Sequence, residues 1–252
     1  MKMLTIHSKC RNALWIHLLS LIGMIAICNH TYGQKVYGKS DVWLLLLNGV
    51  EIMDQWSVGN ELHLRYDDGF RDKEQLLIRP FVNYKASEQV VLSTGYTYIK
   101  TYPYGKYPLP ADKPEHNVWE QITLKHSLGK ASVSHRYRME QRFLSTYNPV
   151  NEDYDFSRTS HSNRFRYRLP LKYPIGRQFF LQVFDEFWIK SDNHLLNASF
   201  DRNWMYVGIG RKFGYGLTLQ LAYLHQNTRV DTEKYERHPT AQLTMQYDLK
   251  LN

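Results

Sequence analysis

Arginines recur at every second position in two stretches of this 252-residue chain. Arg136, Arg138 and Arg142 surround Glu140, and Arg164, Arg166 and Arg168 follow in a tighter row. Guanidiniums at that spacing can do two kinds of chemistry. Rings of arginine select anions in pores; arginines can also pair with carboxylates and simply fill space. An unpaired buried charge is expensive, so counter-charges are needed, and Glu61, Glu140 and Glu186 are the evident ones. Arg65 and Arg79 belong to the same set by position. Mutual neutralisation is the expected role, with anion selection as the functional alternative.

Nucleophilic catalysis has a thinner basis. Barrel enzymes that cut lipids carry a His and a Ser two residues apart on one strand. None of the eleven histidines has a serine at the second following position. His238-Pro239-Thr240 is the nearest approach, and threonine is a poor substitute there. Glu115-His116 and His161-Ser162-Asn163 fall at strand starts, where polar residues are expected anyway. A hydrolase would have to assemble nucleophile and base from separate strands. Glu152, Asp153 and Asp155 form an acidic loop, read as solvated in preference to a loose calcium site. No enzyme activity, cofactor or metal is therefore expected.

The first 33 residues read as a secretory signal. Lys2, Lys9 and Arg11 give a basic start, Ala13 to Cys28 is an apolar run, and Thr31-Tyr32-Gly33 offers small ends for cleavage before Gln34. The run is interrupted by His17 and Ser20 and is shorter than the ~20 residues of a spanning helix. Both cysteines, Cys10 and Cys28, lie in this leader, so residues 34–252 carry no thiol. Disulfides, thiolate metal sites and cysteine nucleophiles are excluded there. The net charge of +8 is spread along the chain rather than gathered in a stripe, which argues against nucleic acid. Nineteen Tyr, eleven Phe and six Trp are a heavy aromatic load, expected in girdles where a barrel wall meets the membrane–water boundary.

The elements that position the arginines are strands. Ala131 to Phe143 alternates: Ala131, Val133, His135, Tyr137, Met139, Gln141 and Phe143 oppose Ser132, Ser134, Arg136, Arg138, Glu140 and Arg142. Ser162 to Leu171 repeats the pattern, as does Ala241 to Leu251. About eleven such stretches of roughly 10–13 residues are found, the first from Val42 to Met53, where strands of soluble domains average nearer 5–6. An even count is the rule for single-chain bacterial barrels, so the expected number is 10 to 12. Short connections (86–89, 128–130, 173–176, 214–216) alternate with long ones (101–114, 145–157, 191–199, 228–236).

A charged side chain facing hydrocarbon costs ~2–4 kcal/mol on a barrel wall, so the arginine faces are expected to point into a lumen. The expected lumen network is Glu61, Arg65, Arg79, Arg136, Arg138, Glu140, Arg142, Arg164, Arg166, Arg168 and Glu186.

An ordered set of motifs then resembles a known family. It runs from the Trp43 strand through Glu61-Leu62-His63-Leu64-Arg65 and Ile78-Arg79-Pro80-Phe81 to Gly95-Tyr96-Thr97-Tyr98 and Trp119-Glu120-Gln121. The most specific piece is His135-Arg136-Tyr137-Arg138-Met139-Glu140-Gln141-Arg142, followed by Arg164-Phe165-Arg166-Tyr167-Arg168-Leu169 and Phe200-Asp201-Arg202-Asn203-Trp204. The chain resembles the bacterial outer-membrane barrels catalogued as domain of unknown function 2490. That resemblance implies an exported barrel and brings no catalytic residue with it. The expectation is an all-β chain: a single antiparallel transmembrane β-barrel of 10–12 strands over 34–252. It would reach a Gram-negative outer membrane by the general secretory route, with membrane lipid and the barrel-assembly machinery as partners. Its role would be structural or in small-solute or anion transport. A lipid-modifying hydrolase and a soluble periplasmic lipocalin-like binding barrel are the alternatives.

Overall fold

The computed structural model describes residues 35–37, 40–105, 108–191, 198–229 and 234–250. The expected leader lies outside these residues. The barrel falls in one compact unit, Val36–Asn252, and the described residues include no helix.

After a short β1 (Lys35–Tyr37), eleven strands follow in order. They are β2 (Asp41–Met53), β3 (Trp56–Asp67), β4 (Asp72–Lys85), β5 (Val90–Thr101), β6 (Lys113–Leu128), β7 (Ala131–Asn148), β8 (Asp153–Pro174), β9 (Phe179–Ser191), β10 (Ser199–Lys212), β11 (Leu217–Arg229) and β12 (Lys234–Lys250). Each pairs with its neighbour in sequence, and β12 pairs with β2 to close the wall. Closure leaves no free edge among these eleven.

The strand number has a topological consequence. In an up-and-down meander every strand reverses the last, so the first and the eleventh run the same way. The closing pair is therefore parallel, from Thr240↔Asp41 to Lys250↔Glu51. All the other pairings in the wall are antiparallel. Eleven wall strands fall within the expected 10 to 12, and the expectation of a wholly antiparallel barrel is corrected at this seam. The Trp43 stretch is a full member of the wall.

Alternation decides the two faces. On β7, Tyr137 and Met139 point outward while Arg136, Arg138 and Glu140 are turned in. On β9, Leu181, Val183, Phe187 and Ile189 are exposed while Phe184, Glu186 and Trp188 are buried. The same inversion runs around the wall: Ile78, Leu92, Val118, Phe165, Val207, Leu221 and Leu243 are all exposed. Two carboxylates interrupt the outer face. Glu120 accepts from Gln141 Nε2 at 3.1 Å, and Asp185 accepts from Asn203 Nδ2 at 2.5 Å.

Inward glycines let rings lie flat on the wall. A Cβ on Gly210 would sit 2.1 Å from Phe180, and one on Gly95 would sit 2.5 Å from Trp119. A glycine in a strand thus marks a close approach.

The expected alternation of short and long connections holds only in part. The stretch 228–236, expected as a long loop, is mostly strand, because β11 runs to Arg229 and β12 resumes at Lys234. The same is true of 145–157, where β7 runs to Asn148 and β8 resumes at Asp153. Tyr147 and Tyr154 pack at 5.3 Å across this extension, and Thr146 pairs with Asp155. Asp155 accepts from Asn148 and from Ser157, so its carboxylate is taken up inside the hairpin.

Candidate functional site in the barrel lumen

A cavity of about 230 Å³ remains inside the barrel. Of the eleven residues expected to line it, Glu61, Arg65, Arg79, Arg136, Arg142, Arg164, Arg166 and Arg168 border the space. Arg138, Glu140 and Glu186 are buried behind them. The alternation of β3, β4, β7, β8 and β9 puts all eleven on inward faces.

Two carboxylates organise the network. Glu186, with no exposed surface, accepts from Arg136 at 2.5 Å and from Arg168 at 2.6 Å. Glu140 accepts from Arg164 at 2.5 Å, and Arg138 lies 3.9 Å away. Arg166 joins the two: its Nη1 is 2.7 Å from Glu140 and its Nη2 2.8 Å from Glu186. One guanidinium on β8 thereby ties β7 to β9. A smaller pair stands on β3 and β4, where Arg79 reaches Glu61 at 2.6 Å and His63 sits 3.1 Å from the same oxygen.

Sequence reasoning missed one counter-charge. Glu115 takes a bidentate contact from Arg142, with both N···O distances 2.7 Å. Glu115-His116 is expected only as a polar strand start, where alternation does not assign a face. The strand begins at Lys113, which puts Glu115 in phase with Trp119 and Gln121.

The larger correction concerns tryptophan. Trp43, Trp119, Trp188 and Trp204 are buried inside, not in outer girdles. Trp188 and Trp204 pack at 4.6 Å, Trp43 and Trp204 at 5.3 Å, and Phe184 stacks on Tyr206 at 4.4 Å. With Leu45, Ala222 and Leu224 they form an apolar cluster spanning β9, β10, β11 and β2. The signal was present in the sequence: Trp188 lies two residues past Glu186, and hence on the same face. Indoles suit this place because their faces carry partial negative charge that a guanidinium can cover. Arg166 lies 3.6 Å over Trp188, Arg65 lies 3.8 Å over Trp43, and Arg138 lies 4.0 Å over Trp119.

At the loop-bearing end the lining turns acidic. Trp43 Nε1 donates to Glu74 at 2.8 Å, and His238 stands 3.3 Å from Asp41 and 3.4 Å from Glu236. Tyr104, in the connection between β5 and β6, reaches this group. Burial, and then the Glu74 carboxylate, push its hydroxyl above the ordinary phenol value. The nearest approach to a catalytic pair also falls here. Thr240 is fully buried; its hydroxyl donates to the His238 carbonyl at 3.2 Å and accepts from Gln226 at 2.7 Å. The imidazole faces two carboxylates, so this pair lacks the hydroxyl-to-ring contact that activates a nucleophile. Glu115 is engaged by Arg142 as described, and His116 and His161 pack against Phe156 and Phe143.

Residues 40–237 match the model of a family described as a protein of unknown function, DUF2490. The chain belongs to the DUF2490 family. It is also 27% identical over 184 residues to an uncharacterized protein of Methylorubrum extorquens, covering 70% of this chain and 73% of that one. The stretch matched by the DUF2490 model begins just ahead of β2 and ends inside β12, so it takes in the whole charged lumen.

Proposed function

We propose that this DUF2490 barrel spans the outer membrane of a Gram-negative bacterium and handles small anions in a largely filled lumen, without catalysis. The observation that supports the membrane reading is the inverted polarity of the wall. Residues such as Ile78, Leu92, Val183, Val207, Leu221 and Leu243 stand exposed, while Glu140, Arg166 and Glu186 are buried. A soluble lipocalin-like barrel has the opposite arrangement, and continuous apolar surface on this scale calls for a lipid or protein cover. Strands of 12 to 22 residues exceed the ~9–11 needed for a tilted crossing.

The anion reading rests on charge and space. Nine guanidiniums in the belt (Arg65, Arg79, Arg136, Arg138, Arg142, Arg164, Arg166, Arg168, Arg202) face six carboxylates (Glu61, Glu74, Glu115, Glu140, Glu186, Asp201). An eight-stranded barrel is filled by its own side chains; eleven strands leave the cavity of about 230 Å³. That is room for small solutes rather than a wide aqueous channel.

Fractionation of an expressing bacterium tests the membrane reading. Recovery in the outer membrane, with a heat-dependent mobility shift on detergent gels, is expected. Recovery in the soluble periplasm overturns it.

A further inference from the structure

The two ends of the barrel carry different charge. Three successive tight turns close one end: residues 129–130 between β6 and β7, 175–178 between β8 and β9, and 213–216 between β10 and β11. Lys125, Lys130, Arg177, Arg211 and Lys212 stand exposed on and beside them, and the stretches 124–133, 171–180 and 210–218 hold no acidic residue. At the other end acids and bases mix. Arg71 meets Asp68 at 2.7 Å and Lys100 meets Asp112 at 2.7 Å, while Glu152 and Asp153 stand at the β7–β8 turn. We propose that the basic rim is a docking surface for anionic phospholipid, taking the phosphate headgroups of the leaflet that meets the tight turns. The inference goes beyond the anion reading of the lumen and rests on the membrane reading alone.

Three observations carry it. The first is charge without protein counter-charge. Among the described residues none of the five cations forms an ion pair, and the acids at this end flank the arc. Glu88, which feels the charge of Lys125, is held by Lys85 at 2.6 Å, and Glu51 by Lys250 at 2.9 Å. Asp248 accepts from Gln246 Nε2 at 2.6 Å, and Asp54 lies in the β2–β3 turn. Cations gathered next to a membrane surface add their attraction to anionic headgroups.

The second is apolar surface in the same place. Leu128, Ile175 and Phe213 are exposed on these turns. Apolar side chains beside Lys and Arg suit the boundary between headgroups and acyl chains, and here they carry the apolar outer face of the wall to its rim. A soluble polyanion would use the cations and leave these side chains in water.

The third is preorganisation. Arg211 Nε and Nη2 donate to Gln178 Oε1 at 3.1 and 3.0 Å, and its guanidinium lies 4.7 Å from the Phe213 ring and 5.4 Å from that of Phe179. Lys212 N donates to Gln178 O at 2.8 Å. The β8–β9 and β10–β11 turns are thus held side by side, and a surface fixed in advance loses little freedom on binding. Tight turns face the periplasm in outer-membrane barrels, so the headgroups met here belong to the inner-facing leaflet.

The test is lipid retention by the full-length protein in non-ionic detergent micelles doped with equal amounts of phosphatidylglycerol and phosphatidylcholine. The expected result is about tenfold more phosphatidylglycerol than phosphatidylcholine kept per barrel, falling as salt screens the surface. Lys130→Glu with Arg177→Glu should abolish the preference and keep the heat-dependent mobility shift. Arg71→Glu with Arg158→Glu makes an equal change of net charge at the loop-bearing end and should leave the preference intact. Equal retention of the two lipids overturns the proposal, and that comparison needs no variant to fold. So does a preference that both double variants lose alike, which would trace it to net charge. Complete displacement of the lipid by soluble polyglutamate would assign the rim to a polyanion and overturn it too. A heat-shifting outer-membrane barrel with no lipid preference sinks this surface alone. Recovery in the soluble periplasm sinks the membrane reading instead, whichever lipid the protein retains.

Discussion

The two walls of the lumen solve the same packing problem with different physics. Along β7, β8 and β9, space is filled by Glu140 and Glu186, each ringed by guanidiniums at 2.5 to 2.9 Å. Beside them, sharing β9, the strands β10, β11 and β2 fill the remaining space with Trp43, Phe184, Trp188, Trp204 and Tyr206. The ionic wall is directional, and each member is needed because removing one partner strands the others. The ring wall is held by area and shape, so it tolerates a change of side chain in proportion to the volume lost. The guanidinium of Arg166, paired to both carboxylates and lying over Trp188, is where the two meet.

The largest expected effect is therefore at the centre of the ionic wall. Glu186→Gln leaves Arg136, Arg166 and Arg168 short of a counter-charge, and the cost of breaking such a buried network is about 3–5 kcal/mol. Urea unfolding of the detergent-refolded protein, read by the gel shift, should move its midpoint down accordingly. An unchanged midpoint would mean that the arginines do not depend on that carboxylate.

The next contrast sets inside against outside. Val207 faces outward in the middle of β10, between Val183 and Tyr223. Val207→Arg should cost about 2–4 kcal/mol in lipid bilayers and much less in a water-exposed wall. Unfolding in phosphocholine vesicles distinguishes the two. A negligible cost would remove the outer face from hydrocarbon.

The ring wall should respond more gently. Trp188→Leu keeps an apolar side chain but loses the guanidinium-over-indole contacts, worth about 2 kcal/mol when desolvated. Its urea midpoint should fall between those of the wild type and Glu186→Gln. A loss as large as that of Glu186→Gln would erase the distinction between the walls.

The smallest effect is expected far from either wall. Tyr215, 96% exposed in the turn between β10 and β11, adopts φ 59°. Asparagine tolerates that left-handed conformation better than a bulky residue does, so Tyr215→Asn should shift stability by less than about 0.5 kcal/mol. Its thermal midpoint, measured beside the others, gives the baseline.

Much of the wall was legible because strand alternation is a local property. Ala131 to Phe143 and Ser162 to Leu171 separate into two faces on reading alone. The cost of charge in hydrocarbon then assigns which face turns in, and the eleven lumen residues follow from that rule. The acidic end around Asp41, Glu74, Glu236 and His238 was not legible. Its members are contributed by three different strands, and no spacing in the chain brings them together. Tryptophan was misplaced for a different reason. Membership in a girdle is a rule about residue type, whereas position inside follows from phase, and phase was the better guide at Trp188.

Residue order by itself determined the all-β character, the number of alternating stretches and the parity that places Arg166 and Glu186 on one face. These follow from the two-residue period of a strand and need no partner. Tertiary structure alone decided that an odd count closes through a parallel seam, from Asp41 beside Thr240 to Glu51 beside Lys250. It alone also decided which carboxylate each guanidinium meets. Register between neighbouring strands sets those distances, and register is fixed only when the whole circumference closes.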